Sequence, residues 1–346
     1  MLTCNYIKSL TYNWLFEIHH QRGIPYCMHH IFVFEDYQHL QLNPLVYTRA
    51  AYELRCGLFT PLERTVSHYP NVAVNLYCRD YLADVMREQH PYRVNEPPAP
   101  DANCLFLNGR AIFPSPIPLE GPEELGMQGE TLVYARLRAN NTRGISHETF
   151  LSKDLVEQLK STCNTITADT PVINYFWDII KLNKSQIEKD FSSTVKSGSL
   201  SGNRYEGVHF INRDRIFIDR NCTIKPGCVF DAENGPIYLG KHTTVAPNAT
   251  IEGPVYIGSH STVQSIARLR PGANIGDHCK VGGEISNTVF HHYSNKQHDG
   301  FLGDSYVGSW VNLGADTVNS NLLNTYRIIK VEWEGRVICT DMMFLG

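Results

Sequence analysis

The residues of this chain that could do acid–base chemistry cluster in its C-terminal third. His291, His292 and His298 lie in one polar segment, residues 287–300, and Arg268 and Arg270 precede it. A neutral imidazole can take a proton from an attacking amine near pH 7. A guanidinium can bind a phosphate bidentately. The pattern is compatible with proton removal beside a phosphate, although His298 could equally be an ordinary loop histidine and the arginines could be solvated.

A six-residue repeat must position these side chains. A period of six fits neither an α-helix at 3.6 nor a simple strand at 2, and it is typical of a parallel β-helix in which three hexads form one triangular coil. The repeated apolar residues, expected to point inward, are Ile218, Ile224, Phe230, Val245, Ile251, Ile257, Val263, Leu269, Ile275, Val281, Phe301, Val307 and Leu313. The fifth hexad position, expected at a tight corner, is small at Cys222, Cys228, Ala249, Ser261, Ala267, Ala273 and Cys279.

The repeat breaks between Val281 and Phe301, and the break contains the histidines. Insertions in a solenoid form loops on one face, often the functional face. We therefore expect a functional loop here. Because a solenoid leaves its ends and edges exposed, we also expect caps or oligomerisation.

The N-terminal half alternates short apolar runs with mixed segments, which favours an α/β domain with a largely parallel sheet. The expected strands are Ile31–Phe34, Val72–Cys78, Cys104–Leu107 and Leu132–Leu137, and the expected helices are Ala51–Leu62 and Tyr81–Arg87. Residues 171–191 predict two helical pieces, the second capped by Ser185 with Glu188.

We expect four segments along the chain: an extension at 1–27, the α/β domain with its helical connector at 28–191, a linker at 192–205 and the β-helix at 206–346. A good first strand follows Met28 directly, so we expect Met28 to be the natural start.

Composition narrows the class of protein. The net charge is −4 at pH 7, with no basic footprint for nucleic acid and no apolar run long enough for a membrane helix. The ten cysteines are scattered without a C-x-x-C pair. We expect a reduced, cytoplasmic protein that binds neither nucleic acid nor membranes.

Four sequence blocks carry a resemblance to a known family. They are Ala-Arg-Leu-Arg-Pro-Gly-Ala at 267–273, Asn-Lys-Gln-His at 295–298, Leu-Gly-Asp at 302–304 and Val-Asn-Leu-Gly-Ala at 311–315. With ungapped spacing they resemble the left-handed β-helix of the bacterial bifunctional N-acetylglucosamine-1-phosphate uridyltransferase/glucosamine-1-phosphate acetyltransferase. The whole of 28–346 resembles an offshoot of that family, the sugar-nucleotidyltransferase-like proteins of Bacteroidetes-like bacteria.

The resemblance implies roles for individual residues. His298 would be the catalytic base, Arg268 would hold the sugar phosphate, and Ala315 would contact acetyl-CoA, the donor. Asn312, Asn321 and Asp304 would contact the sugar or its phosphate, although Asn312 could equally be a turn residue. The implied assembly is a homotrimer, and the implied ligands are a sugar phosphate or nucleotide sugar.

The chain also departs from the family. The family's sugar-binding lysine falls on Ser286 and a tyrosine falls on Phe301, which leaves the acceptor's identity open. The sequence ends at Gly346, where relatives continue with further coils, so we expect an incomplete donor site if this is the natural end.

The N-terminal domain resembles a sugar-nucleotidyltransferase fold (Rossmann-like) without its Gly-rich phosphate loop. Arg49 and Arg55 remain as candidate nucleotide contacts, with a surface role about as plausible. Arg110 stands where relatives carry a magnesium-binding Asp, and Mg²⁺ prefers carboxylate and phosphate oxygens. If Mg²⁺ and a nucleoside triphosphate bind here, Asp36 and Asp178 are the candidate substitute ligands.

Three histidines at one hexad position form a further pattern. His242, His260 and His278 recur every 18 residues and should stack as a ladder on one edge. Imidazoles are good zinc ligands, and zinc-dependent carbonic anhydrases share this fold. The same position is, however, usually an exposed corner.

The sequence therefore leaves three hypotheses. The first is a transferase that acetylates an amino-sugar phosphate, transfers a nucleotidyl group to a sugar 1-phosphate, or does both. The second is a non-catalytic sugar-nucleotide-binding or assembly protein with degenerate sites. The third is a metal-dependent hydratase that uses the histidine ladder.

Overall fold

The computed structural model describes residues 29–100, 102–195 and 198–346. The predictions about residues 1–27 and the start at Met28 lie outside these residues. No helix in the described ranges is long and apolar enough to cross a membrane.

The N-terminal domain is built on one mixed sheet, which has seven strands within the described residues. Its order is β3-β2-β1-β4-β6-β5-β7, with β6 antiparallel to both neighbours and every other pair parallel. The strands are β1 His29–Phe34, β2 Ala73–Tyr77, β3 Arg93–Val94, β4 Asn103–Asn108, β5 Glu124–Gln128, β6 Thr131–Leu137 and β7 Asn164–Thr167. All four predicted strands are confirmed, because each is an apolar run buried in the sheet.

Helices cover this sheet and link it to the repeats. They are α1 Pro61–His68, α2 Ala83–Gln89, α3 His147–Phe150, α4 Asp154–Lys160 and α5 Phe176–Thr194. Short 3-10 helices occupy Tyr37–Leu42, Ala51–Glu53, Asp80–Leu82, Ala139–Asn141 and Arg213–Arg215.

Two helix predictions are wrong. In place of a helix over 51–62, Ala51–Glu53 form a 3-10 turn, and α1 begins only at Pro61, where the Thr60 side chain caps it by accepting from the Glu63 amide. Helix α5 is continuous, and Ser185 lies inside it, donating to the Leu182 carbonyl instead of capping a second helix.

The C-terminal domain is the predicted left-handed parallel β-helix, with three faces of six parallel strands each in the described residues. Face 1 contains Ile216–Ile218, Ile237–Leu239, Val255–Ile257, Asn274–Ile275, Val289–Phe290 and Tyr306–Val307. Face 2 contains Asn203–Arg204, Thr223–Ile224, Thr244–Val245, Thr262–Val263, Lys280–Val281 and Asn295–Lys296. Face 3 contains His209–Ile211, Val229–Asp231, Thr250–Glu252, Arg268–Leu269, Glu284–Ser286 and Phe301–Gly303.

The boundaries of the β-helix differ slightly from the expected ones. Helix α5 ends at Thr194, and the first coil strand is Asn203–Arg204, inside the segment expected to be a linker. A hairpin of Lys330–Trp333 and Arg336–Cys339 follows the last coil.

Hexad residues fill the interior of the coils. Every predicted inward residue from Ile218 to Val281, and every small corner residue, is at most 1% exposed. The expected loop, however, is wrong. Tyr256 pairs with Asn274 eighteen residues later, but Asn274 pairs with Val289 only fifteen residues later.

The break in the repeat is therefore a shortened coil. Face 2 passes to face 3 there through Gly282 and Gly283; Gly283 has φ +70°, and a Cβ on it would lie 2.5 Å from the Gly300 carbonyl oxygen. Leu302, rather than the predicted Phe301, points inward after the break, and Phe301 lies on the outer surface of face 3.

The N-terminal domain packs on face 1 of the β-helix. The Asn274 side-chain amide donates to the Gly57 carbonyl and to the Asn183 side chain, each at 2.7 Å, and Asn183 donates to the Gly272 carbonyl at 2.8 Å. Val289 joins an apolar cluster with residues of the N-terminal domain such as Leu42. These amides and the apolar cluster are buried, so separating the two domains would leave polar groups without partners and expose apolar surface.

His291 is a second buried contact of this interface. Its Nδ1 accepts from the Arg49 guanidinium at 2.9 Å, and its Nε2 lies 2.9 Å from the Glu53 carbonyl oxygen. The carbonyl can only accept, so the proton is on Nε2 and the ring is neutral. Burial, followed by the nearby Arg49 charge, holds the pKa of His291 well below its usual range.

We predict that this histidine makes stability fall in mild acid. Its pKa is lower in the folded state, so below about pH 6.5 the unfolded chain binds a proton that the folded chain does not. The contribution is absent above that pH and grows as the pH falls, by up to about 1.4 kcal/mol per pH unit. Urea unfolding of the wild type and His291→Gln at pH 7.5 and 5.5 measures it; an equal drop in both proteins would contradict the assignment.

Candidate functional sites

The carboxyl ends of strands β1 and β4 form the expected binding crevice of the N-terminal domain. The chain leaves β1 toward β2 on one side and β4 lies on the other, and ligands of open α/β sheets bind at such a switch point. Glu35 and Asp36 follow β1 here, and Asn108 and Arg110 lie at the end of β4.

A buried ion pair closes this crevice. The Arg110 Nε and Nη2 lie 2.9 and 2.6 Å from the two carboxylate oxygens of Asp36. The remaining Arg110 donors reach the Ile173 carbonyl, the Asn174 side chain and Gln38. Arg110 is fully buried and Asp36 is 6% exposed. The pair is bidentate and strongly desolvated, so it is geometrically specific.

These residues do not fit a Mg²⁺ ion. The Asp36 carboxylate is bound by Arg110 and by the Asn108 amide. Asp178, the other predicted substitute, accepts from the Asn174 and Tyr175 amides at the start of α5. The Asp36 carboxylate is therefore taken by a guanidinium, and Asp178, which accepts through Oδ2 only, is left as a single carboxylate where Mg²⁺ needs several oxygen ligands.

An open groove of ≈ 560 Å³ lies next to the ion pair. Thr131 and Arg110 both donate to Gln38, and Thr131 and Asn174 line the groove. Gln128, Asp178 and the exposed Lys181 also line it. Amide, hydroxyl and ammonium groups are suited to sugar hydroxyls and a phosphate, so this is the part of the crevice that a ligand can reach.

Arg49 and Arg55 lie in the domain interface. Arg49 donates to His291 and to Ser309 of the β-helix. Arg55 is 2% exposed; its guanidinium donates to the Leu58 carbonyl and lies 5.3 Å from the Tyr256 ring centre. These contacts occupy both guanidinium groups, and their predicted nucleotide binding stays a prediction.

The corner between faces 2 and 3 carries three of the predicted acetyl-transfer residues. His298 is exposed and lies in the turn between Asn295–Lys296 and Phe301–Gly303. Asn312 pairs with Asn295 on face 2, one coil further. Ala315 is exposed on the corner of that same coil, where the Asp316 amide donates to the Asp299 carbonyl at 3.1 Å. The structure therefore brings His298, Asn312 and Ala315 to one solvent-facing edge.

Arg268 lies on face 3, beside this edge. It pairs across one strand with Glu284, which in turn pairs with Phe301, so Arg268 and Phe301 share one outer row. The Arg268 guanidinium is 3.1 Å from the Glu284 carboxylate, which also binds Arg270 at 3.3 Å. Arg268 is 61% exposed, so this ion pair is weak and a phosphate can compete for it.

Asp304 and Asn321 lie on the other side of face 3. The two oxygens of the Asp304 carboxylate accept from the Asn287 and Asn321 amides, both at 2.7 Å. Asp304 is 8% exposed. The structure thus joins these two predicted sugar contacts to each other, at a corner distinct from that of His298.

The predicted histidine ladder is confirmed. The rings of His242, His260 and His278 stack at 4.7 and 4.8 Å, and Tyr293 and Trp310 extend the stack. Parallel rings direct their nitrogens alongside one another, so one chain does not converge them on a metal. In the described ranges the clustered His, Cys and acidic ligands are Asp80, His147 and Glu148 at the surface. A zinc site shared between subunits stays a prediction.

Sequence reasoning missed two residues of the His298 edge. Glu284 between the two arginines has no sequence signal. Lys296 occupies an inward position and is fully buried. Counting six residues back from Leu302 would have found it.

Comparison with known families bears on the N-terminal domain. Residues 31–198 match the family model described as sugar nucleotidyl transferase. The N-terminal domain is therefore similar to the sugar nucleotidyltransferases. No curated protein matches the chain. The match spans the strands of the sheet, the groove and helix α5, and ends before the β-helix.

We predict strong coupling between Arg110 and Asp36. Arg110→Met should lower the free energy of unfolding by about 3–5 kcal/mol, because it leaves a buried carboxylate without a counter-charge. Asp36→Asn in the same chain should restore much of this loss. Urea denaturation of the two single variants and the double variant measures the coupling energy. If the changes in unfolding free energy simply add, Arg110 and Asp36 do not stabilise each other in the crevice.

Proposed function

We propose that this protein is a sugar-phosphate transferase of nucleotide-sugar biosynthesis. The family match over residues 31–198 carries this proposal and supports nucleotidyl transfer to a sugar 1-phosphate. The groove beside Arg110 supports it further, because it lies where α/β domains bind ligands and presents polar groups. Lys181 at the groove would attract the phosphate, and Thr131 and Asn174 would bind hydroxyls.

The second half of the proposal is acetyl transfer at the edge between faces 2 and 3. His298 would take a proton from the amine of an amino-sugar phosphate as its nitrogen attacks the acetyl-CoA carbonyl. The new C–N bond forms, the C–S bond breaks, and CoA leaves as its thiolate, which is then protonated. The support is the exposure of His298 at an edge flanked by Arg268 and Asn312.

Electrostatics suit this assignment. A phosphate arriving at Arg268 would draw it from Glu284, and Glu284 keeps Arg270 as a partner, so no carboxylate loses its counter-charge. Asn312 would bind sugar hydroxyls, and Ala315, one coil beyond His298, would contact acetyl-CoA. The proposed assembly is a homotrimer.

We predict that His298→Ala lowers thiol release from acetyl-CoA by at least about 100-fold with glucosamine 1-phosphate as acceptor, the usual size of a general-base contribution. His209→Ala, an exposed histidine at the far end of face 3, is the matched control and should keep full activity. Absence of turnover in the wild type, or full turnover in His298→Ala, would defeat this half of the proposal.

Two features of the crevice favour a second candidate function. The Arg110–Asp36 pair occupies the crevice, and no glycine occurs from residue 31 to residue 56 to form a phosphate loop. A protein that binds a nucleotide sugar without transferring it would keep the groove and dispense with the metal.

Calorimetry with UDP-N-acetylglucosamine separates the two candidates at this domain. Because the site does not fit Mg²⁺, we predict the same Kd in EDTA and in Mg²⁺, and weaker binding by Lys181→Ala, with the exposed Lys189→Ala as control. Pyrophosphate release from UTP with sugar 1-phosphates then decides between transfer and binding alone. Binding that requires Mg²⁺ would contradict the assignment of Arg110.

A further inference from the structure

A charged side chain interrupts the apolar interior of the β-helix. The inward row of face 2 begins with Arg204, which is exposed in the first coil, and continues through Ile224, Val245, Val263 and Val281 to Lys296. The members from Ile224 to Lys296 are each fully buried. The four buried members before Lys296 are branched aliphatic residues, so a buried lysine is out of character with the row that it continues.

The ammonium group of Lys296 reaches the underside of the His298 turn. Its Nζ donates to the His298 carbonyl at 2.9 Å. A Cβ on Gly300 would lie 3.3 Å from the same nitrogen, so the amine lies beside both His298 and Gly300 of the turn 297–300. Burial lowers the pKa of Lys296, while the Asp299 and Asp316 carboxylates act in the opposite direction.

The same turn is held on both sides by its neighbouring coils. The Glu284 amide donates to the Gly300 carbonyl, and the Asp316 amide donates to the Asp299 carbonyl, each at 3.1 Å. The Lys296 ammonium group adds a hydrogen bond to the carbonyl of His298 itself. These three hydrogen bonds leave the His298 side chain exposed on a turn whose backbone is fixed.

Burying Lys296 to make this hydrogen bond lowers the stability of the folded protein. An ammonium group in an apolar interior gives up most of its hydration, and an apolar residue of similar length would fill the same space without that penalty. Residues that destabilise a fold in this way are typical of functional sites, where geometry has been kept at the expense of stability.

We propose that Lys296 is a positioning residue that fixes the turn 297–300 and thereby aims His298 at its substrate. The inference rests on the proposed acetyl transfer for its catalytic consequence. Its structural part, the fixed turn, stands on the Lys296 hydrogen bond and on burial alone.

Lys296→Met tests the proposal, because methionine is also unbranched, is only one atom shorter than lysine, and lacks the charged donor. Lys280→Met, the same change at the exposed residue one row away on face 2, is the matched control. We expect Lys296→Met to have an unchanged or higher Tm and a kcat reduced on the order of 10- to 100-fold with little change in KM. Lys280→Met should leave kcat unchanged.

Hydrogen exchange supplies a readout that needs no activity. The Glu284 and Asp316 amides are protected by carbonyls of the turn, so Lys296→Met should accelerate their exchange, while the Thr262 amide in an earlier coil should not change. Unchanged exchange, or a lowered Tm with full kcat, would overturn the positioning role and leave Lys296 as a structural residue. If the wild type shows no acetyl transfer, the proposed function fails while the exchange data still decide the role of Lys296.

Discussion

Stacking of inward side chains is the constraint on which the β-helix depends. Parallel strands of successive coils lie ~4.8 Å apart, so each inward residue must rest on the one in the coil before it. A coil can lose residues only at a corner, where the turn can tighten. The fifteen-residue step from Asn274 to Val289 shows this: the rows continue without a gap, two residues are lost at the corner near Gly282 and Gly283, and a third is lost at the next corner, between faces 3 and 1. The same constraint aligns the corner residues into the aromatic ladder.

Docking of the N-terminal domain determines which surfaces remain free. Asn183 and Asn274 join the domain to face 1, and His291 closes one end of the interface. Faces 2 and 3 are then left for ligands, and the edge between them carries His298. The interface also explains Arg49 and Arg55, because their guanidinium groups bind partners in or beside face 1.

The charged residues of the two candidate sites differ in their exposure to solvent. In the crevice, Arg110 and Asp36 neutralise each other in a buried pair that leaves neither group free. On face 3, the Arg268–Glu284 pair is exposed and can exchange partners. A buried ion pair is costly to separate, because each charge would be left without water or a partner. An exposed ion pair can be replaced by a ligand, because water solvates the two side chains when they separate.

Much of the fold was predictable from local pattern. Apolar runs predicted β1, β2, β4 and β6, and the period of six predicted the coils and the histidine ladder, because burial in a repeat acts on every member alike. The shortened coil was not predictable from apolar spacing for two reasons. Its inward residue is Lys296, which is not apolar. Phe301 lies on the outer surface, but it is apolar and falls where the period of six predicts an inward residue.

The hydrogen-bond partners of individual side chains were also not predictable from the sequence. Ser185 with Glu188 has the spacing of a capping box, yet helix α5 continues without a break through both residues. Asp304 and Asn321 were predicted as sugar contacts, and only the structure shows that they bind each other. The members of the His298 edge were named from the family resemblance, and the structure brings residues 298, 312 and 315 to one edge.

A crystal structure of the full chain with glucosamine 1-phosphate and CoA would show directly whether the edge between faces 2 and 3 binds the acceptor. We expect electron density for the sugar at this edge, with the phosphate on Arg268 in place of Glu284 and the amine within hydrogen-bond reach of His298. Density for the sugar phosphate elsewhere, with the Arg268–Glu284 pair intact and the His298 edge empty at saturating ligand, would contradict it.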